Sequence, residues 1–283
     1  MLPPIGAGTV PTGRRTDAWA WESGGMATSM RARREPPPFR RVTVQRVEDL
    51  TPRMRRIVLG GPELDGFDEP GPASSVRLLL PPTGEDAIVM PTWNGNEFVL
   101  PTGERAPIRT FTPRHLDGDA RELTVDIVVH AGGAASDWAA AVVPGAETAV
   151  SGPGRGYDVE TDVADYLLAG DETALPAIGQ LLEVIPREID VQAHVEIAEE
   201  AARLDLPAHP RAEITWHVLP DGDEPGAAIF AAVEGLDEIP EAVWVAGEAA
   251  AVQRVRTHLA DVRGRPRSTV TVRGYWKHGR SAT

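Results

Sequence analysis

"ADYLLAGDETALPAIGQLLEVI", residues 164–185, decides the fold. Its first half is a short apolar run ending at Gly170, the pattern of a buried strand. Its second half places Leu175, Ile178, Leu181, Leu182 and Ile185 three or four apart, the period of a helix with one buried face. Thr173 is placed to cap that helix and Pro176 suits its first turn. A buried strand turning directly into a helix is the opening of a βαβ unit. The chain beyond Ile185 repeats the theme. Strand patterns at 190–198, 212–219, 242–248 and 268–276 alternate with helical segments at 228–236 and 249–262. Residues 156–283 therefore read as a mostly parallel, doubly wound α/β domain.

Upstream the texture differs. Short alternating runs at 39–47, 53–61, 74–81, 106–114, 122–130 and 147–154, with one helical segment at 134–143, read as a six-stranded antiparallel barrel over residues 39–155. Residues 1–38 are rich in Gly, Pro and Arg, lack an apolar period and end in "EPPPF". They read as a disordered extension, with Met26 and Met30 as alternative starts.

Composition narrows the function. The 283-residue chain carries a net charge of −14, which argues against a nucleic-acid partner and its basic stripe. No apolar run approaches the roughly 18 to 20 residues that cross a bilayer, and Arg14 and Arg15 precede no apolar signal segment, so the expected location is the cytoplasm. The surface is compatible with a monomer. There is no cysteine, which excludes disulfides, thiol nucleophiles, cysteine zinc sites and ordinary iron–sulfur clusters. Electrons handled by this chain would have to pass directly from a bound organic cofactor to an external acceptor. His115, His194, His209, His217 and His258 share no ligand spacing and read as structural, so no metal site is expected. Neither a Gly-x-Ser-x-Gly nor a P-loop sequence occurs, and no acid–base dyad stands out, so no catalytic residue is assigned.

Five stretches could hold ligands. In "RTFTPR", strand alternation would put Arg109, Phe111 and Pro113 on one side and Thr110, Thr112 and Arg114 on the other. This is equally the pattern of a half-buried strand with solvated arginines and of a platform for a flat anionic cofactor. "HAGGAASDWA" ends a strand at His130, turns at Gly132 and Gly133, and starts a helix near Ala135 and Ser136, leaving backbone N–H groups free for an anion. The loop Gly170, Asp171, Glu172, Thr173 lacks the three glycines of a dinucleotide fingerprint, and on spacing alone it fits an ordinary βα turn as well as a nucleotide loop. Gly247 and Glu248 end a later strand, on the edge where open α/β sheets collect ligands. "RGYWKHGR", residues 273–280, sets two aromatics among four basic or imidazole-bearing residues, either a basic tail or a cationic lid.

Taken in order, "RTFTPR", "HAGGAASDWA", "GDETALPAI", "VAGE" and "RGYWKHGR" resemble the siderophore-interacting protein family over about residues 39–280. These are flavin-dependent ferric-siderophore reductases related to the ferredoxin reductases. The resemblance implies an FAD-binding barrel, an NAD(P)H-binding domain and a ferric siderophore as partner. It puts Arg109, Thr110, Phe111, Thr112 and Arg114, together with His130, Gly132, Gly133, Ala135 and Ser136, on the flavin. Phe111 stands where the family commonly has Tyr, and Ala134 where Pro is frequent. It puts Gly170, Asp171, Glu172, Thr173, Gly247 and Glu248 on the nicotinamide cofactor, and Arg77, Lys277 and Arg280 on the anionic chelate. Glu196 resembles the acidic residue that bonds a ribose hydroxyl, which leans toward NADH. Two rival readings are a general flavin reductase serving a protein acceptor and a siderophore carrier without flavin.

Overall fold

The computed structural model describes residues 36–279 except Thr83 and Ala131, so residues 1–35 of the expected extension over 1–38, and the candidate residue Arg280, lie outside the described residues. Pro37, within that stretch, accepts a hydrogen bond from Ser151 Oγ at 2.6 Å. Nine strands make the first half: β1 (Arg40–Thr51), β2 (Met54–Gly60), β3 (Val76–Leu79), β4 (Thr92–Trp93), β5 (Phe98–Val99), β6 (Ile108–Phe111), β7 (Pro113–Asp117), β8 (Glu122–Val128) and β9 (Glu147–Ser151). Seven of them form one antiparallel sheet in the order β6-β3-β9-β1-β2-β8-β7. Its two edges, β6 and β7, are consecutive stretches of one chain interrupted only at Thr112. The sheet therefore curls round on itself, and the strand expected over 106–114 is present but broken in two. Val42, Val44, Ile57, Leu59, Leu78, Val125, Ile127 and Val150 fill the inside of the curl. Helix α1 (Ala134–Ala141) closes one end through Ala139.

The hairpin β4–β5 has no counterpart in the sequence reading. Its strands are two residues each, too short for an alternation to register. Phe98 from this hairpin meets Phe39 edge-on at 5.0 Å and Trp93 at 5.2 Å, and covers Leu79 and Ala149 on the outer face of the curl.

The second half contains β10 (Asp165–Asp171), α2 (Leu175–Val184), β11 (Asp190–Ile197), β12 (Ala212–Val218), α3 (Ala227–Glu234), β13 (Ala242–Glu248), α4 (Ala249–Thr257) and β14 (Val270–Trp276). The five strands are all parallel in the order β12-β11-β10-β13-β14. Alternate residues of β10 serve opposite faces: Tyr166 and Leu168 pack with α2, while Leu167 and Ala169 pack with α3 and α4. That explains why the strand reads as an unbroken apolar run. Both halves belong to one compact unit spanning residues 34–283. The turn between β1 and β2 contributes Met54 to the core beneath α2, with Leu50 and Val128 packed against it.

Glu196 differs from its expected role. Its Oε1 accepts from Gly226 N–H at 2.6 Å, and Oε2 from Ala228 and Ile229 N–H at 2.9 and 3.3 Å. Burial pushes its carboxyl up, and the three N–H donors pull the other way. Gly226, at φ 82°, leads into α3 and has no side chain of its own to cap the helix. A carboxylate from β11 performs that task, so both Glu196 oxygens are engaged within the protein.

Among the histidines, His194 on β11 and His217 on β12 lie ring to ring, Nδ1 to Nε2 at 3.0 Å. One must donate and the other accept, so the pair is stable only while at least one ring is neutral. Burial holds both below the usual imidazole value, and the charge of His217 adds to the effect on His194. Because the folded values lie below the unfolded one, the unfolded chain takes up protons first as pH falls through about 6.5. Stability that is present above that value is lost on acidification. The expected result is a urea midpoint that drops between pH 7.5 and 5.5 in the parent and drops measurably less in a His194→Gln, His217→Gln double variant. Equal slopes in the two proteins would show that the pair is not the titrating element.

Candidate functional site

In a parallel sheet of this order the crossovers leave in opposite directions from β10 and β13, which opens a crevice outside their carboxyl ends. Gly170 pairs with Ala246 there, so the loop 170–173 and the dipeptide Gly247–Glu248 are neighbours. Close packing dictates both glycines. A Cβ on Gly170 would come within 2.4 Å of Ala174 Cβ and 2.5 Å of Ala246 O. Gly247 has φ 148°, and a Cβ there would meet Asp171 Oδ2 at 2.5 Å.

The carboxylates at this edge are engaged by the protein itself. Asp171 Oδ1 accepts from Thr173 N–H at 2.9 Å and from its hydroxyl at 2.5 Å. Oδ2 accepts from Glu248 N–H and from Trp276 Nε1–H, each at 2.8 Å. Burial pushes the Asp171 carboxyl up, and these donors oppose it. Glu248 accepts from Ala251 N–H at 2.8 Å, capping α4, and from His278 N–H at 3.1 Å. Burial works against its charge, but the backbone donors outweigh that and hold it below the usual range. Glu172 pairs with Arg53 across the domain boundary. What these residues present to the crevice is backbone, together with the small surface of Thr173.

The barrel side is built from the break in the bent strand. Arg109 and Phe111 share a face, opposite Leu78 and Val76 respectively, and Thr110 points the other way, as alternation predicts. At Thr112 the alternation fails, because Thr112 and Pro113 are both buried. The register shift between Pro113 and His115 marks the bulge that re-aims the chain. Arg114 consequently emerges toward α2 and pairs with Glu183 through two bonds of 2.6 and 3.0 Å. The sequence reading grouped it with Arg109 on the cofactor; the structure separates the two.

The strand β8 runs out beside β6 to His130. Its N–H donates to Ser136 Oγ at 2.6 Å, folding the loop back onto the first turn of α1. Gly132 and Gly133 have φ of 80° and 110°, and nothing lies within 4 Å of the position of a Gly132 Cβ. Gly133 offers α1 no side-chain cap, and Ala134 and Ala135 follow with no side-chain acceptor. The open turn and the uncapped start of α1 leave backbone N–H groups of the kind that suit a diphosphate, and burial lowers the pKa of Arg109 on β6, a strand in contact with β8. Phe111, half-buried at the rim, adds an aromatic face. The residues present therefore fit FAD.

The carboxyl end of β14 joins the two sides. Arg273 donates to Ala73 O and Gly156 O, both at 2.9 Å, on the barrel side. Tyr275, half-buried, packs edge-on against Trp244 at 6.4 Å, and burial raises its pKa. Trp276 reaches Asp171. Lys277 is exposed beyond it. Arg77 sits on β3 opposite Thr110, half-exposed, with no ion pair or hydrogen bond to a described residue. Sequence reasoning missed Arg53, Gln180 and Glu183 as site-building residues, and it took Arg273 as part of a basic tail or cationic lid and not as a strut to the barrel. Gln180 of α2 donates to Pro113 O at 2.7 Å and accepts from Ala73 N–H at 3.0 Å. All four act across more than 60 positions of chain, where no local pattern registers them.

A curled antiparallel sheet followed by a five-stranded parallel sheet is the two-part architecture this chain shares with its structural relatives. The chain belongs to the siderophore-interacting protein family. Residues 43–157 match the model of the siderophore-interacting FAD-binding domain, and residues 163–279 that of the siderophore-interacting protein. A siderophore utilization protein from T. fusca has 35% identity and a TM-score of 0.78, over 88% of this chain and 96% of that one. The NADPH-dependent ferric-chelate reductase of Escherichia coli is 37% identical over 174 residues, 60% of this chain and 67% of its own length. The ferric vibriobactin reductase ViuB of Vibrio cholerae is 27% identical over 239 residues, 82% of this chain and 87% of its own. Among the described residues, no helix is long and apolar enough to cross a membrane.

The packing around Gly170 yields a direct check. Gly170→Ala forces backbone against side chain on two sides and is expected to cost about 1–3 kcal/mol of unfolding free energy, read as a lower urea midpoint. A loss below about 0.5 kcal/mol, within the range of ordinary surface changes, would mean the edge is looser than its contacts indicate.

Proposed function

We propose that the protein is an NAD(P)H-dependent ferric-siderophore reductase acting as a monomer in the cytoplasm, where reduced nicotinamide is available. The observation that carries this reading is the joining of the barrel to the parallel-sheet crevice by the carboxyl end of β14, through Arg273 at Ala73 and Gly156 and Trp276 at Asp171. The names of the E. coli and V. cholerae relatives support the reaction class. Bound FAD supplies the link between a two-electron donor and a one-electron acceptor. One NAD(P)H reduces two chelated Fe(III) to Fe(II), with release of NAD(P)+ and one proton.

The chain's residues bind and orient. Arg109 and the open turn at Gly132–Gly133 would hold the diphosphate of FAD, and Phe111 would offer its aromatic face to the ring system. Backbone at Gly170, Thr173 and Gly247 receives the nicotinamide cofactor, while Asp171 and Glu248 keep those loops in shape. Electron transfer to iron calls for no protein acid or base. On a chain of net charge −14, the cations Arg77 and Lys277 mark where an anionic chelate is drawn in. Arg280, from the same basic segment, is assigned with them.

Purified protein should show flavin absorbance, be bleached anaerobically by NADH or NADPH, and release Fe(II) to a ferrous trap when given a ferric siderophore. Phe111→Ala should lower the flavin-to-protein ratio after gel filtration while leaving the protein folded. Arg77→Ala with Lys277→Ala should raise KM for an anionic ferric siderophore roughly tenfold. A colourless protein that binds ferric siderophore without turnover would establish the carrier reading instead. Preference for a ferredoxin or cytochrome over every ferric chelate would establish the general reductase.

A further inference from the structure

One residue of the β1–β2 turn touches the candidate nicotinamide loop and the residue that leads into the candidate flavin loop. The N–H of Arg53 donates to Thr51 Oγ1 at 3.2 Å, and its carbonyl accepts from Val129 N–H at 2.8 Å. Val129 immediately precedes His130 and the Gly132–Gly133 turn. The guanidinium Nε of the same residue lies 3.0 Å from each oxygen of Glu172. Glu172 stands between Asp171 and Thr173 and is only 7% exposed. Its Oε1 also accepts from Ala198 N–H at 2.8 Å, at the end of β11. The backbone of Arg53 thus fixes the flavin-side loop while its side chain fixes the nicotinamide-side loop. Leu50, Met54 and Val128 seat the turn in the apolar core beneath α2, so it is a rigid support for that span.

We propose that Arg53 is a positioning residue that sets the separation between the flavin cradle and the nicotinamide crevice, and with it the hydride-transfer distance. This rests on the reductase reading above. Arg53 touches neither reacting ring. Its effect falls on the reductive half-reaction, because hydride transfer needs near-contact geometry and a misplacement of about 1 Å costs on the order of 100-fold in rate. Passage of electrons from reduced flavin to a ferric chelate makes no use of the Glu172 loop. A buried carboxylate stripped of its cation is also costly, so loss of the guanidinium leaves Glu172 to reorganise together with the loop that carries it.

The test compares full-length, flavin-loaded parent, Arg53→Ala and Arg53→Lys. Arg53→Ala should retain the parent flavin-to-protein ratio. Its flavin reduction by NAD(P)H in rapid mixing should slow by roughly 10- to 100-fold, with a larger isotope effect from donor deuterated at the transferred position. Reoxidation of dithionite-reduced protein by ferric siderophore should stay within about twofold of the parent, a change too small to mark a lost contact. Arg53→Lys, which keeps a cation on a shorter reach, should recover part of the reductive rate. In flavin-free protein, amide hydrogen exchange at 172–174 and 198 should accelerate in Arg53→Ala. Unchanged reductive rate, equal losses in both half-reactions, or unchanged exchange would each overturn the proposal. If the parent holds no flavin, or neither nicotinamide reduces it, the reductase reading fails, and the exchange result alone decides whether Arg53 positions the loop.

Discussion

The carboxyl edge of the parallel sheet depends on one buried carboxylate. Asp171 gathers donors from its own turn, from the end of β13 and from the indole of Trp276. A carboxylate removed from water is tolerated only when its lone pairs are met, and here both oxygens are. The consequence runs outward. Gly247 must lack a side chain because Asp171 occupies that space. Trp276 must end β14 where its N–H reaches the same carboxylate, and His278 then falls within reach of Glu248. The crevice has its shape because one charge was buried and satisfied from three segments.

The union of the two halves is polar as well as apolar. Met54 supplies an apolar anchor, but the arginines Arg53, Arg114 and Arg273 each cross the boundary to a carboxylate or to backbone carbonyls. Guanidinium suits this work because its planar fork satisfies two acceptors at once and stays charged. Arg114 lies close over α2, where a Cβ at Gly179 would be in ordinary contact with its guanidinium at 3.7 and 3.8 Å. Such contacts are directional, so they fix orientation as well as proximity, which a reaction between two separately bound rings requires.

Much of this architecture was legible in the sequence because it is local. The period of Leu175, Ile178, Leu181 and Leu182 specifies α2, and each of these side chains lies in the core. The glycines at 132, 133, 170 and 247 marked the turns that the structure brings to the two sides of the junction. The hairpin at 92–99 escaped because two-residue strands carry no period. The break at Thr112 escaped because a bulge looks like a continuing alternation until the partner strand's register is known.

The amino-acid sequence by itself determined the two kinds of sheet and the lack of cysteine in this sequence, and it marked the short segments proposed to face a ligand. Those properties follow from side-chain periodicity and residue type, which need no knowledge of distant chain. Only the tertiary structure decided what each charge does. Glu196 was legible as an acid at a strand end, yet it caps a helix thirty residues on. Arg114 was legible as a cation beside an aromatic, yet it clasps Glu183. Arg53 carried no signal, and it spans the two loops. A charge takes its partner from whatever the fold brings within about 3 Å in a low-dielectric setting, and that proximity is a property of the assembled molecule.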